Sequence, residues 1–209
     1  MIDIHVHPAD ARCISPGFIA GVAGSMFDGG QSGGGNVERA VRLHLSDRNA
    51  RRLLSQTDTH AIVESILLIA DFGPALGEGA SLPTLGREQR YPQSLEEVMR
   101  RFPDVPIAPA HGMVWDLEGT IELLERHPRN LYSDISSFQL LSDHGLEMVL
   151  EGCAKAPDQV IFGSDAPLYD LSGNPGAKLE EMRSRLTPGE QAGLFELNAR
   201  TFLYGASAR

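Results

Sequence analysis

His5 and His7 stand two residues apart in the opening stretch IDIHVH, interleaved with Ile2, Ile4 and Val6. Neutral imidazole is the commonest side-chain ligand for a divalent metal, so two of them at short range suggest a shared ion. An alternating stretch reads as a strand, because successive side chains point to opposite faces. Asp3, His5 and His7 are therefore expected on one face, with the three apolar residues on the other under a layer of helices. Seven histidines in 209 residues give about 0.2 such pairs by chance, so the spacing alone is a weak motif. Placement on an amphipathic strand, together with a Gly-Ser-Asp at the end of another, makes the metal reading the stronger one.

Asp165 closes the apolar run Val160 to Gly163 plus Ser164, and a carboxylate there needs a partner to offset its desolvation. It either caps a nearby loop or helix, or ligates a divalent ion and shares a proton with water as general base. His111, between Ala110 and Gly112, is either a core imidazole bonded to backbone carbonyls or a catalytic group, and the catalytic role is preferred. Asp134 is a candidate partner for the second ring nitrogen of a ligating histidine. His44, His60, His127 and His144 are set aside, the first two because they precede the second strand and the others because they look solvated.

For these groups to meet, several strands must end in one place. The segments HAIVESILLIAD, VPIAPAH, NLYSDIS and QVIFGSD read as strands beside the first. Between them, Asn36 is expected to cap a helix through VERAVRLHLSDRNARRLL, and Ser94 with Glu97 to open SLEEVMRRF as a capping box. Helices LEGTIELLERH and GLEMVLEGCAKA follow, and Thr187 to Glu190 caps a last helix ending near Gly205. Residues 8–35 and Phe72 to Tyr91 read as long Gly-rich loops. Helix–strand alternation predicts an α/β fold of parallel strands, and His5, His7, His111, Asp134 and Asp165 all fall at or near C-terminal strand ends. In a closed parallel barrel those ends form one rim, where active sites are built.

Length favours a single domain over residues 1–209. A hydrophobic content of 42% with 22% charged residues is that of an ordinary globular protein. No stretch has the length of a bilayer span and the start lacks a signal-peptide pattern, so a cytoplasmic enzyme is the expectation. Cys13 and Cys153 form no C-x-x-C pair, which leaves histidine and carboxylate as metal ligands. A net charge of −10 without a Lys/Arg run argues against nucleic acid as a partner.

The stretches I-D-I-H-V-H, R-F-P-D-V-P-I-A-P-A-H-G-M, N-L-Y-S-D-I-S-S, V-I-F-G-S-D-A-P and L-N-A-R-T-F-L-Y-G resemble the amidohydrolase superfamily. Within it they look closest to the amidohydrolase-related branch that includes aminocarboxymuconate-semialdehyde decarboxylase. The resemblance implies a metal-dependent TIM-like (β/α) barrel, with His5 and His7 as first-strand ligands and Asp165 as eighth-strand ligand and proton carrier. His111 matches the sixth-strand histidine, which handles protons or polarises substrate. The implied cofactor is one divalent ion, zinc first, and the implied reaction is hydrolysis or non-oxidative decarboxylation of a small carboxylated, often cyclic or aromatic, substrate. Family members carry further strands before the His111 strand, one usually ending in another metal-binding histidine, and this chain has no such segment. The barrel is therefore expected to be incomplete or shortened, with two consequences: a homodimer that covers the strand edges, or, as the alternative function, a catalytically silent barrel serving as a binding or assembly subunit.

Overall fold

The computed structural model describes residues 1–7, 16–17, 19–20, 23, 34–47, 50–68, 91–112, 117–138, 142–166 and 175–205. Strand β1 (Ile2–Val6) pairs in parallel with β2 (Glu64–Leu67), and β3 (Ser133–Asp134) pairs in parallel with β4 (Val160–Ile161). Helices α1 (Gly34–His44) and α2 (Arg51–Thr59) precede β2, α3 (Tyr91–Arg101) and α4 (Leu117–Arg126) precede β3, and α5 (Asp143–Lys155) joins β3 to β4. After β4 come α6 (Pro175–Arg185), α7 (Pro188–Ala192), one wider turn over Gly193–Leu197, and α8 (Asn198–Tyr204).

Single hydrogen bonds tie these pairs into one parallel arc. Ile4 N donates to Phe162 O at 3.2 Å, Asp165 N to His5 O at 2.8 Å, and His7 N to Ala166 O at 2.7 Å, so the β4 segment runs along β1 opposite β2. On the far side, Tyr132 N donates to Ile107 O and Ile107 N to Asn130 O, each at 2.8 Å. The order across the arc is thus β2, β1, the β4 segment, the β3 segment and the stretch at Ile107. Among the described residues the arc does not close into a barrel.

Several expectations need correction. VPIAPAH makes one parallel bridge at Ile107 rather than a strand; its two prolines remove the amide donors that a ladder needs on either side. The expected single helix from Asn36 to Leu54 is two, and it starts at Gly34, before the proposed cap. Asp47 causes the break: its carboxylate accepts from the amides of Arg51, Arg52 and Leu53 at 2.8 to 3.1 Å, opening α2 afresh, while Ala50 takes φ 52°. Helix α3 begins at Tyr91, so Ser94 lies within it rather than at its start. In the expected loop over 8–35, residues 16–17, 19–20 and 23 are helical, with Ile19 and Ala23 buried. The remainder of that stretch up to Gly33, and the segment 72–90, lie outside the described residues.

Two apolar clusters flank the arc. Leu123, Leu124, Leu131, Ile135, Phe138, Leu146, Val149 and Phe162 form the larger, beneath α4, α5 and α6, while Ile2, Ile4, Tyr132, Ile161 and Ala199 form the smaller against α8. Val6 belongs to the larger cluster, not to that of Ile2 and Ile4. The register explains this departure from alternation: Asp3 to Val6 spans three steps while Ser65 to Leu67 spans two, so β1 carries an extra residue.

Candidate metal centre

Strand β1 and the ends of the β3 and β4 segments deliver His5, His7, Asp134 and Asp165 to one place. His5 Nδ1 donates to Asp134 Oδ2 at 2.8 Å, and His7 Nδ1 donates to the backbone oxygen of Leu68 at 2.9 Å. A carboxylate and a carbonyl can only accept, so each ring carries its proton on Nδ1 and turns the lone pair of Nε2 inward. The two Nε2 atoms lie 3.0 Å apart, and Asp165 Oδ1 lies 3.7 Å from the first and 3.4 Å from the second. With both rings neutral, the state a metal requires, three acceptors thus face one another without a donor between them.

Asp165 Oδ1 is the buried side-chain atom that has no hydrogen-bond partner among the described residues, whereas Oδ2 accepts from Ser137 Oγ at 2.8 Å. Leaving a buried carboxylate oxygen in that state is costly unless a cation meets it. A tetrahedral ion with bonds of about 2.0–2.1 Å separates its ligand atoms by about 3.3–3.4 Å, close to the three separations observed. The donor set fits a divalent metal in chemistry, in spacing and in its unmet charge.

A second group, His5, His111 and Asp134, is also close enough to share an ion. Hydrogen bonds already occupy it. Asp134 Oδ1 accepts from the His111 amide at 2.7 Å and from Ser136 Oγ at 2.6 Å, and Oδ2 holds His5. Burial works against the Asp134 charge, but the hydrogen bond and charge of His5, with Ser136, outweigh it and hold this carboxyl below its ordinary range. For His5 burial likewise disfavours the charged form, yet Asp134 above all, then Asp165 and Asp3, raise its pKa above 6.5.

Asp3, expected on the face of His5 and His7, does not join the site. Its Oδ1 accepts from the amides of His5 and Ser164, at 3.1 and 2.9 Å, and so fastens β1 to the end of the β4 segment. Burial pushes its pKa up to about 6 despite those bonds. His111 reaches the site from the Ile107 segment, its ring 4.7 Å from that of His5. His44 accepts a hydrogen bond from Arg52 and is in neither group.

Ser136 and Ser137 carry no role in the sequence reading, although both lie in the S-D-I-S-S stretch. Hydroxyls are too common for their type to signal a site; only the two carboxylates they touch reveal them. Backbone conformation marks the same place. Of the non-glycine residues at positive φ, His111 at 58°, Ser137 at 66° and Asp165 at 61° surround the centre, a strain that sites concentrate.

The family model described as Amidohydrolase matches residues 39–204. Amidohydrolase 2 from Bifidobacterium longum subsp. infantis is similar in structure, with a TM-score of 0.51 and 16% identity over 96% of this chain and 97% of that one. An amidohydrolase from Burkholderia multivorans with bound zinc gives a TM-score of 0.41 and 16% identity over 95% of this chain and 96% of that one. No curated protein matches the sequence.

Proposed function

The chain belongs to the amidohydrolase family, whose members are metal-dependent enzymes of the hydrolase type, and on that premise we propose that it is a single-metal enzyme acting on a small carboxylated substrate. One observation carries the reading: the convergence of His5 Nε2, His7 Nε2 and Asp165 Oδ1 as acceptors that lack a donor. These three residues would hold one divalent ion, zinc, whose catalytic sites take three nitrogen, sulfur or carboxylate ligands plus a position left for water or substrate. When bound, such an ion polarises a carbonyl or carboxylate oxygen and lowers the pKa of water.

The chain's own groups then divide the remaining work. Asp134 keeps the His5 ring in the tautomer that offers Nε2, and the Leu68 carbonyl does so for His7. Ser137 holds Asp165 by Oδ2, which fixes the carboxylate that takes up and returns a proton. His111, beside His5, is the second proton carrier, serving the leaving group in hydrolysis or the carbon that loses carboxylate in a decarboxylation. Both reactions, on cyclic or aromatic acids, suit the branch that the motifs of this chain resemble.

Protein purified without added metal is expected to hold a single zinc per chain, and His7→Ala and Asp165→Asn to lose it. Equal metal content in all three overturns the site. Small aromatic and cyclic acids assayed for released carbon dioxide, and their amides and lactones assayed for released acid, distinguish the two reactions. His111→Ala should keep its metal while turnover drops about 10²–10⁴-fold; loss of the metal with it would make His111 a ligand instead.

A further inference from the structure

Ser136 is fully buried, and its hydroxyl touches three polar groups: Asp134 Oδ1 at 2.6 Å, His111 Nδ1 at 2.7 Å and His5 Nδ1 at 3.0 Å. A hydroxyl has one proton to give and two lone pairs to receive with. The proton goes to Asp134, because a hydrogen bond to a carboxylate at this length is stronger than one to a neutral imidazole. Both lone pairs then face ring nitrogens. His5 Nδ1 already carries a proton, given to Asp134 Oδ2. His111 Nδ1 must do the same, and the backbone oxygen of Ser136, 3.3 Å from it, also can only accept.

We infer that Ser136 is a positioning residue that sets the tautomer of His111, keeping its proton on Nδ1 and making Nε2 the basic nitrogen. The inference deepens the function proposed above, since it is the role of His111 as proton carrier that gives the tautomer its use. One carboxylate then governs two histidines. Asp134 orients His5 directly, and orients His111 through the Ser136 hydroxyl and through the His111 amide, which it holds at 2.7 Å with φ at 58°. The same chain of bonds therefore sets which nitrogen each ring offers to its neighbours.

The test is nitrogen NMR of histidine-labelled protein, in zinc-free and zinc-loaded forms, with the His111 signals assigned by their loss in His111→Gln. Wild type should show His111 protonated at Nδ1 in both forms. In Ser136→Ala the ratio of the Nδ1–H to the Nε2–H form should fall about two- to tenfold, the worth of one ordinary hydrogen bond, while zinc content stays, because Asp134 Oδ2 still holds His5. A wild-type His111 protonated at Nε2, or a ratio unchanged in Ser136→Ala, overturns the assignment, and the wild-type spectrum decides even where the variant does not fold. Zinc content reports separately on the metal: protein without zinc but with the Nδ1–H form leaves the tautomer standing and removes the metal reading.

Discussion

Gly163 shows how tightly the centre is fitted around β1. A Cβ built on it would meet His5 Cβ at 2.7 Å and Ser136 Cβ at 3.2 Å, and neither atom is the free end of a flexible chain. Gly163→Ala should therefore cost about 1–3 kcal/mol and push His5 off its line with Asp134. Thermal denaturation checks the first effect and zinc titration the second; an alanine variant with native zinc affinity would show that His5 has room. Titration gives a second prediction at this scale. His5 has a pKa raised above 6.5, so its favourable ion pairing is complete below that value and is lost as pH rises through the raised one. Asp3, raised to about 6 from 3.8, likewise contributes below 3.8 and loses that contribution as pH climbs towards 6. Both make the metal-free protein less stable on the alkaline side. Zinc must displace the His5 proton, so the zinc-loaded protein should instead gain stability as pH rises through the same range. Melting curves from pH 5 to 8 with zinc and with chelator should diverge upwards; parallel curves would remove His5 from the metal site.

Among the elements, the C-terminal helices show how much of a recognisable motif is architectural. Thr187 and Glu190 form the capping box expected from their spacing, with Thr187 Oγ1 accepting from the Glu190 amide. Asn198, in the L-N-A-R-T-F-L-Y-G stretch, is buried and donates from Nδ2 to the backbone oxygens of Pro157 and Val160, both at 2.8 Å. It fastens the start of α8 to the start of β4, and so sets the height at which Asp165 leaves that segment. Replacing it by alanine strands the buried Val160 carbonyl and removes the half-buried bond to Pro157, which should cost about 1–3 kcal/mol, read as a lower midpoint in urea. A loss under about 0.5 kcal/mol, within the scatter of surface substitutions, would mean that water replaces the amide. The helices α4 and α5 were legible in the alternation of helix and strand, Leu117–Arg126 and Asp143–Lys155 lying within two residues of expectation. The break at Asp47 was not, because any aspartate in a helical pattern can point outwards; only its three amide contacts decide.

At the scale of the molecule, the parallel arc has β2 at one border and the Ile107 segment at the other, and exposed apolar side chains sit near each: Val63 and Leu67 at the first, Phe102 and Val105 at the second. Strand borders that are unpaired among the described residues, with apolar flanks, favour association, and we propose that the chain forms a homodimer that covers them. Sedimentation at micromolar concentration should give twice the 22.6 kDa chain mass, and Val63→Lys with Leu67→Lys should shift it to monomer; a wild-type monomer would count against the proposal. No helix of the described residues is long and apolar enough to cross a membrane. The sequence by itself determined the alternation of helix and strand, and the identity of His5, His7 and Asp165 as candidates, because metal-ligand side chains at the ends of apolar runs are uncommon and their pattern is local. Only the tertiary structure decided that Asp3 turns to the backbone, that Val6 changes cluster, and that Ser136 and Ser137 hold the carboxylates of Asp134 and Asp165. Each of those outcomes depends on one extra residue in β1 or on contacts between groups up to 161 positions apart, and no local pattern encodes which distant partner a common polar side chain will meet.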